Sequence, residues 1–268
     1  MSVLDGLPRP TVRRAEWRRF AIFLLGAVLG VFVPLGLHFG VGPIALALLV
    51  VVVMATLVGL DRRRRTRDTV CALLVARAEA TWNEDPTRAL GQAAEALHGG
   101  TTDPSTELRA WLVVARVAEA RGALADASEA IGRGLTCGGR RDLVAFGRAL
   151  RAFLDACRGA LDEAEAGLAR IATDSMSVET ATELMRARTM LHHRQGRFRE
   201  TVDTVTEARG KGLGDRPRDA AFFEAMSQSA RLRLDVAIGG HPMRIAAVPE
   251  LEDWLDVIEP ERARAKMR

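Results

Sequence analysis

The chain changes its polarity pattern twice. Residues 20–60 contain no Asp, Glu, Lys or Arg. Phe20 to Phe39 reads almost wholly as Leu, Val, Phe, Gly and Ala, and Pro43 to Leu60 does the same, ending in a run dominated by Val and Leu. Such a stretch is too long for one membrane span and suits two, since about 18–20 residues at 1.5 Å rise cover the hydrocarbon core. The break is predicted near His38, Gly40, Gly42 and Pro43, which supply turn chemistry and a helix-starting proline. Lipid offers no hydrogen-bond partners, so both spans, 20–39 and 43–60, are expected to be helical throughout. From about Thr66 onward the apolar positions recur at the spacing of amphipathic helices, which predicts an all-α domain.

Charge orients the hairpin. Residues 1–65 carry nine arginines against Asp5, Glu16 and Asp61, while the remainder is near balance, with 29 basic and 31 acidic side chains. The overall pI of about 9.6 therefore belongs to the flanks of the apolar region. Among these flanking residues are Arg18 and Arg19 before the first span and Arg62, Arg63, Arg64 and Arg65 after the second. The tip between the spans has no Lys or Arg. By the positive-inside rule both termini are cytoplasmic, and the expected location is the bacterial cytoplasmic (inner) membrane, with residues 61–68 as a basic linker. A cleaved signal peptide fits poorly, because the first apolar run is too long and a second follows. A hairpin held in one leaflet is the alternative, given Pro34. Gly26 and Gly30 form a small-xxx-small pair suited to contact with the second span. A near-neutral soluble part gives no electrostatic reason to bind nucleic acid, and none is expected.

The helical part repeats. Arg121-Gly122-Ala123-Leu124-Ala125-Asp126-Ala127 aligns with Arg158-Gly159-Ala160-Leu161-Asp162-Glu163-Ala164 and with Gln195-Gly196-Arg197-Phe198-Arg199-Glu200-Thr201, the glycines standing 37 residues apart both times. Val113, Leu150 and Ala187 recur at that offset, as do Val117, Leu154 and Leu191, and Ile131, Leu168 and Val205. The unit reads as a helix ended by a left-handed Gly and a second helix with an acid in its first turn. A hairpin of this kind buries its apolar face only by stacking on neighbours.

These residues resemble the tetratricopeptide repeat (TPR) family: the Gly at the turn, the following Leu or Phe, the acid before a small residue, and Trp111 in the first helix. A divergent earlier copy has Glu84-Asp85-Pro86 at its turn. The copies span about 69–98, 106–138, 142–174 and 179–212. The period exceeds the family's usual 34, tyrosines are missing, and Arg148, Arg151 and Asp155 occupy positions expected to be more apolar. Asp215 and Pro217 start a further helix with Phe222, Phe223, Met226, Ala230, Leu234 and Ile238 toward a core; residues 215–258 cap the solenoid, leaving 259–268 as a tail. The resemblance implies a concave face made by the first helices and lined by Arg109, Arg116, Glu119, Phe146, Phe153, Glu183, Arg186, Met190, His193 and Arg194. Such a face would clamp an acidic or amphipathic peptide.

No catalytic constellation is present. His192 and His193 adjoin, so they diverge on a helix and make a poor metal pair. Gly210-Lys211-Gly212-Leu213-Gly214 lacks P-loop spacing. Neither metal nor cofactor is expected. The expected function is a non-enzymatic, membrane-anchored scaffold that binds a protein partner beside membrane lipid. The alternative is an accessory subunit of a transport, secretion, envelope or haem-pathway complex; an enzyme or sensor with its site in the groove ranks below both.

Overall fold

Three glycines set the rhythm of the fold. Gly122, Gly159 and Gly196 take φ of +73°, +86° and +74°, a region in which a Cβ is strained. At each one the backbone closes the preceding helix in the same way. The N–H groups of Ala123, Ala160 and Arg197 donate to the carbonyls of Ala118, Asp155 and His192 at 2.9, 2.8 and 2.9 Å, the six-to-one bond of a Schellman cap. The offset in sequence is thus a repeat in backbone geometry.

The structure, a computed structural model, describes residues 2–8, Gly26, Gly30, 43–172 and 176–238. Among them regular structure is entirely helical: α1 (Pro43–Thr81), α2 (Pro86–Gly99), α3 (Pro104–Ala120), α4 (Leu124–Cys137), α5 (Arg141–Cys157), α6 (Leu161–Ala169), α7 (Val178–Arg194), α8 (Phe198–Gly210) and α9 (Pro217–Ile238). Consecutive pairs from α1/α2 to α7/α8 form four antiparallel hairpins that stack, solenoid-like, with α9 against α7 and α8. Asp85 starts α2 by accepting the Arg88 N–H, and Asp103 starts α3 by accepting those of Ser105 and Thr106, as N-cap carboxylates do.

Packing follows the repeated columns. Ala127, Ala164 and Thr201 are wholly buried where the second helix of each hairpin crosses the first. Trp111, Ile131, Leu150, Leu154 and Phe153 fill the core between hairpins. Gly134 lies so near Trp111 that an added Cβ would meet the Trp111 Cβ at 2.7 Å. Asp155, unusual for a core position, is buried and accepts a hydrogen bond from buried Ser128 at 2.6 Å, with Arg158 at 3.3 Å. That bond ties α4 to α5 and explains why the position is not apolar.

Residues 61–68, expected as a basic linker, are helical. They continue α1, a helix of 39 residues; Arg is a good helix former, so the basic run extends the helix. Cys71, Val75 and Ala78 are the buried face of its distal half, against α2. Between residues 51 and 60 most of its side chains are exposed: Val51, Val52, Met54, Val58 and Leu60 keep 41–62% of their surface, while Val53 and Leu57 on one face are half-buried. Among the described residues no helix is long and apolar enough to cross a membrane, so the expected transmembrane pair is not part of the fold as described. The expected first span, 20–39, lies outside the described residues, as do Arg18, Arg19 and the side chains of residues 43–50. Val51 to Leu60 alone cover about 15 Å, half a hydrocarbon core. Residues 239–268, including the expected short helix and tail, also lie outside them.

A ladder of bonds joins the turns between hairpins into one edge. Asp68 on α1 accepts from the Thr102 N–H at 2.6 Å and from the Thr101 hydroxyl at 3.0 Å, and Arg64 Nε donates to Thr102 Oγ1 at 2.9 Å. The Arg140 N–H donates to Ser105 Oγ at 3.2 Å, the Ser177 N–H to Asp142 at 3.1 Å, and Arg216 pairs with Glu179. The Gly turns lie at the opposite edge. A strap of residues 2–8 runs between the two. Asp126, beside the Gly122 turn, accepts the Ser2 hydroxyl and the Val3 N–H, both at 2.8 Å, Leu4 is 6% exposed, and His98 bonds the Gly6 carbonyl at 3.1 Å.

Candidate functional site

The concave face is built by α3, α5 and α7, whose faces turn inward because their outer sides pack on the second helices. The winding is tight enough that Arg116 on α3 reaches Glu183 on α7, 67 residues away, at 2.9 Å. Arg116 also binds Glu119 at 2.9 Å, and Glu183 binds Arg186 at 3.0 Å. From α9, Asp219 approaches Arg186 at 3.8 Å and Arg218 approaches Glu119 at 3.5 Å. Three guanidinium groups thus face three carboxylates, and the cluster has no excess charge.

Aromatic rings complete it. The Arg186 guanidinium lies 4.6 Å from the Phe153 ring centroid and 5.2 Å from that of Phe222, and those two rings meet edge-on at 5.7 Å. Arg116 stands over Phe146 and Arg218 over Trp82, at 5.7 and 5.6 Å. A cation against a ring face is held more strongly where water is excluded, as at buried Arg186, than at half-exposed Arg218.

The electrostatics follow from burial and pairing. Loss of water opposes both charges of the Arg116–Glu183 pair, but the partners win: Arg116 is raised above its ordinary value by Glu183 and Glu119, and Glu183 is lowered by Arg186 and Arg116. Arg218 is lowered, chiefly by burial, with Glu119 opposing the shift. Burial, with the Glu119 charge, pushes the nearby Cys157 thiol up to about 12. A thiol so held stays protonated at neutral pH and is no nucleophile.

The residues expected on an open groove divide into three groups. Arg116, Glu119, Glu183 and Arg186 converge in the cluster, with Phe146 half-buried beneath Arg116. Phe153, Met190 and His193 are buried under α9; Met190 is 0% exposed and His193 Nε2 lies 2.9 Å from Ser229 Oγ. Arg194 donates to the Cys157 carbonyl at 3.2 Å. Arg109 faces α1, its Nε donating to Glu79 at 2.8 Å. The groove is therefore not open along its length, because Phe222 of α9 takes the place a peptide would need. What stays open is a cleft of about 420 Å³ at the mouth, among Trp82, Asn83, Arg116, Phe146, Glu183 and Arg218. Of the arginines expected to clamp an acidic peptide, Arg116 and Arg186 face Glu119 and Glu183, and Arg109 faces Glu79. One Glu183 oxygen, Oε1, is buried with no hydrogen-bond partner. Trp82, Arg218 and Asp219 were invisible to the repeat register, lying at a turn and in the capping helix; the run of Arg and Asp at 215–219 was the one signal.

Among the described residues no three His, Cys, Asp or Glu gather as metal ligands. Comparison with protein-family models, curated proteins and solved structures returns no match.

Proposed function

We propose that this chain is a membrane-anchored, TPR-like adaptor that holds a protein partner at the cytoplasmic face of a membrane, without enzymatic activity. The observation that carries the reading is the passage of the charge-free segment, without a break, into the first helix of the hairpin stack. Between residues 51 and 60 this helix exposes Val51, Val52, Met54, Val58 and Leu60, an aliphatic surface that needs an apolar surrounding, and lipid supplies one. The strap supports it: residues 2–8 and the helix leaving the second apolar run both lie against the same hairpins, as an even number of crossings between them requires. Anchoring confines partner and adaptor to one surface and raises their effective concentration.

The mouth cleft is the partner site in this reading. Its size suits one or two side chains of a docked loop, with Trp82 and Phe146 as apolar walls. A second reading, an accessory subunit bound through its spans, is favoured by the aliphatic face at Val51 to Leu60. Affinity capture of the full chain from detergent-extracted membranes, compared with W82A/F146A, separates them. Loss of the same captured protein in the variant supports the cleft; its retention supports the spans. Recovery of the full chain in the soluble fraction after cell lysis without detergent overturns both.

A further inference from the structure

The ladder of inter-hairpin turns begins at Arg64 and Asp68, within about 12 Å along α1 of Leu60, the last residue of the charge-free run. If α1 leaves the bilayer at Leu60, this edge faces the headgroups and the Gly turns face away. At the second rung is a cleft of about 680 Å³, lined among others by Arg140, Arg141, Arg148, Val144 and Met176. Arg140 and Arg141 are exposed, and neither side chain has an ion pair among the described residues. Arg148 is held across the cleft by donating to the Arg170 carbonyl at 2.8 Å. Asp142, the described acid in the cleft, is occupied by the Ser177 N–H. Elsewhere on the edge Arg216 is paired with Glu179 and Lys211 with Glu207. Among the described residues, three arginines thus share one cleft with a single carboxylate, Asp142, which feels the Arg140 charge, and with apolar side chains beside them.

We infer that the cleft at the α4–α5 turn docks on the membrane itself, its arginines receiving the phosphate of an anionic lipid headgroup and Val144 and Met176 the upper acyl region. The inference rests on the anchored reading above. Guanidinium groups bind phosphate through paired N–H donors, and basic residues near an anionic leaflet add attraction that falls away within a Debye length. A second point of attachment, remote from α1, fixes how the stack lies over the bilayer.

Hydrogen exchange on the full chain in lipid nanodiscs tests this. With phosphatidylglycerol in the disc, amides of residues 140–148 are expected to exchange about tenfold more slowly than in neutral phosphatidylcholine discs, while the turns at Gly122 and Gly159 stay unchanged. R140E/R141E abolishes the difference and R140K/R141K keeps most of it. Acids at this helix start are favoured by the helix dipole, so the first variant folds. Equal exchange in the two lipids, with the chain in the disc, overturns the inference and leaves the anchor standing. Equal protection in neutral discs by free glycerol phosphate also overturns it, since a soluble ligand then fills the cleft. A chain that does not enter discs at all overturns the anchored reading.

Discussion

Gly134 meets Trp111 and Leu108 so closely that its missing side chain is a packing requirement of α4 rather than a turn requirement. G134A is expected to lower stability by about 1–3 kcal/mol through overpacking, read as a fall in the urea midpoint with an unchanged slope. Glu183 is a sharper case, being 3% exposed and shared by Arg116 and Arg186. Removing it leaves two buried cations with one fewer counter-charge, so E183A should cost roughly 3–5 kcal/mol. A double-mutant cycle with R116M is expected to recover part of that loss; strict additivity would show that the pair is not coupled. At this scale the sequence was readable only where backbone geometry dictates residue type. Gly122, Gly159 and Gly196 announced themselves because positive φ selects Gly. Arg116 and Glu183 were expected on the concave face, but not their pairing, because nothing local joins residues so far apart.

The elements were read with more success in their interiors than at their joins. Columns such as Val117, Leu154 and Leu191 are buried because a helix stripe must face its neighbour. The basic run at 61–68 was expected as a linker on polarity alone, whereas polarity and helicity are independent for Arg. Amides of residues 62–68 should accordingly exchange with the protection of a helix; exchange at unfolded-chain rates would contradict an unbroken α1. The strap at residues 2–8 had no periodicity to betray it. It is held by Asp126, and D126A is expected to free it, raising protease cleavage within the first residues while costing the hairpins only about 1 kcal/mol.

The molecule as a whole should weaken in acid, in two stages of the same sign. Burial lowers the folded-state pKa of His192, so the unfolded chain binds a proton first and stability declines as pH falls below about 6.5. The second stage comes from Glu183 and Glu224, whose lowered values mean that their contribution is full above about pH 4.3 and vanishes as pH drops through the folded-state values. Tm measured from pH 8 to pH 3 should show both steps, and H192Q should remove only the first. Closure of the concave face is also a property of this scale. Neither the register of the copies nor the charge of any helix reveals that Phe222 enters against Phe153; that depends on superhelical winding summed over all the hairpins.

The unbroken first helix acts as a drive shaft. Its 39 residues make a rod of about 58 Å, and in the proposed anchored state roughly half would be gripped by lipid while the other half carries the hairpins. Torque applied inside the bilayer reaches the far end without slack. Adding one residue between Leu60 and Arg64 would swing the whole assembly by about 100° relative to the gripped half, and adding seven would return it almost to its bearing while raising it by about 10 Å. A partner whose capture fails after the first change and recovers after the second would be one that reads compass direction, not height.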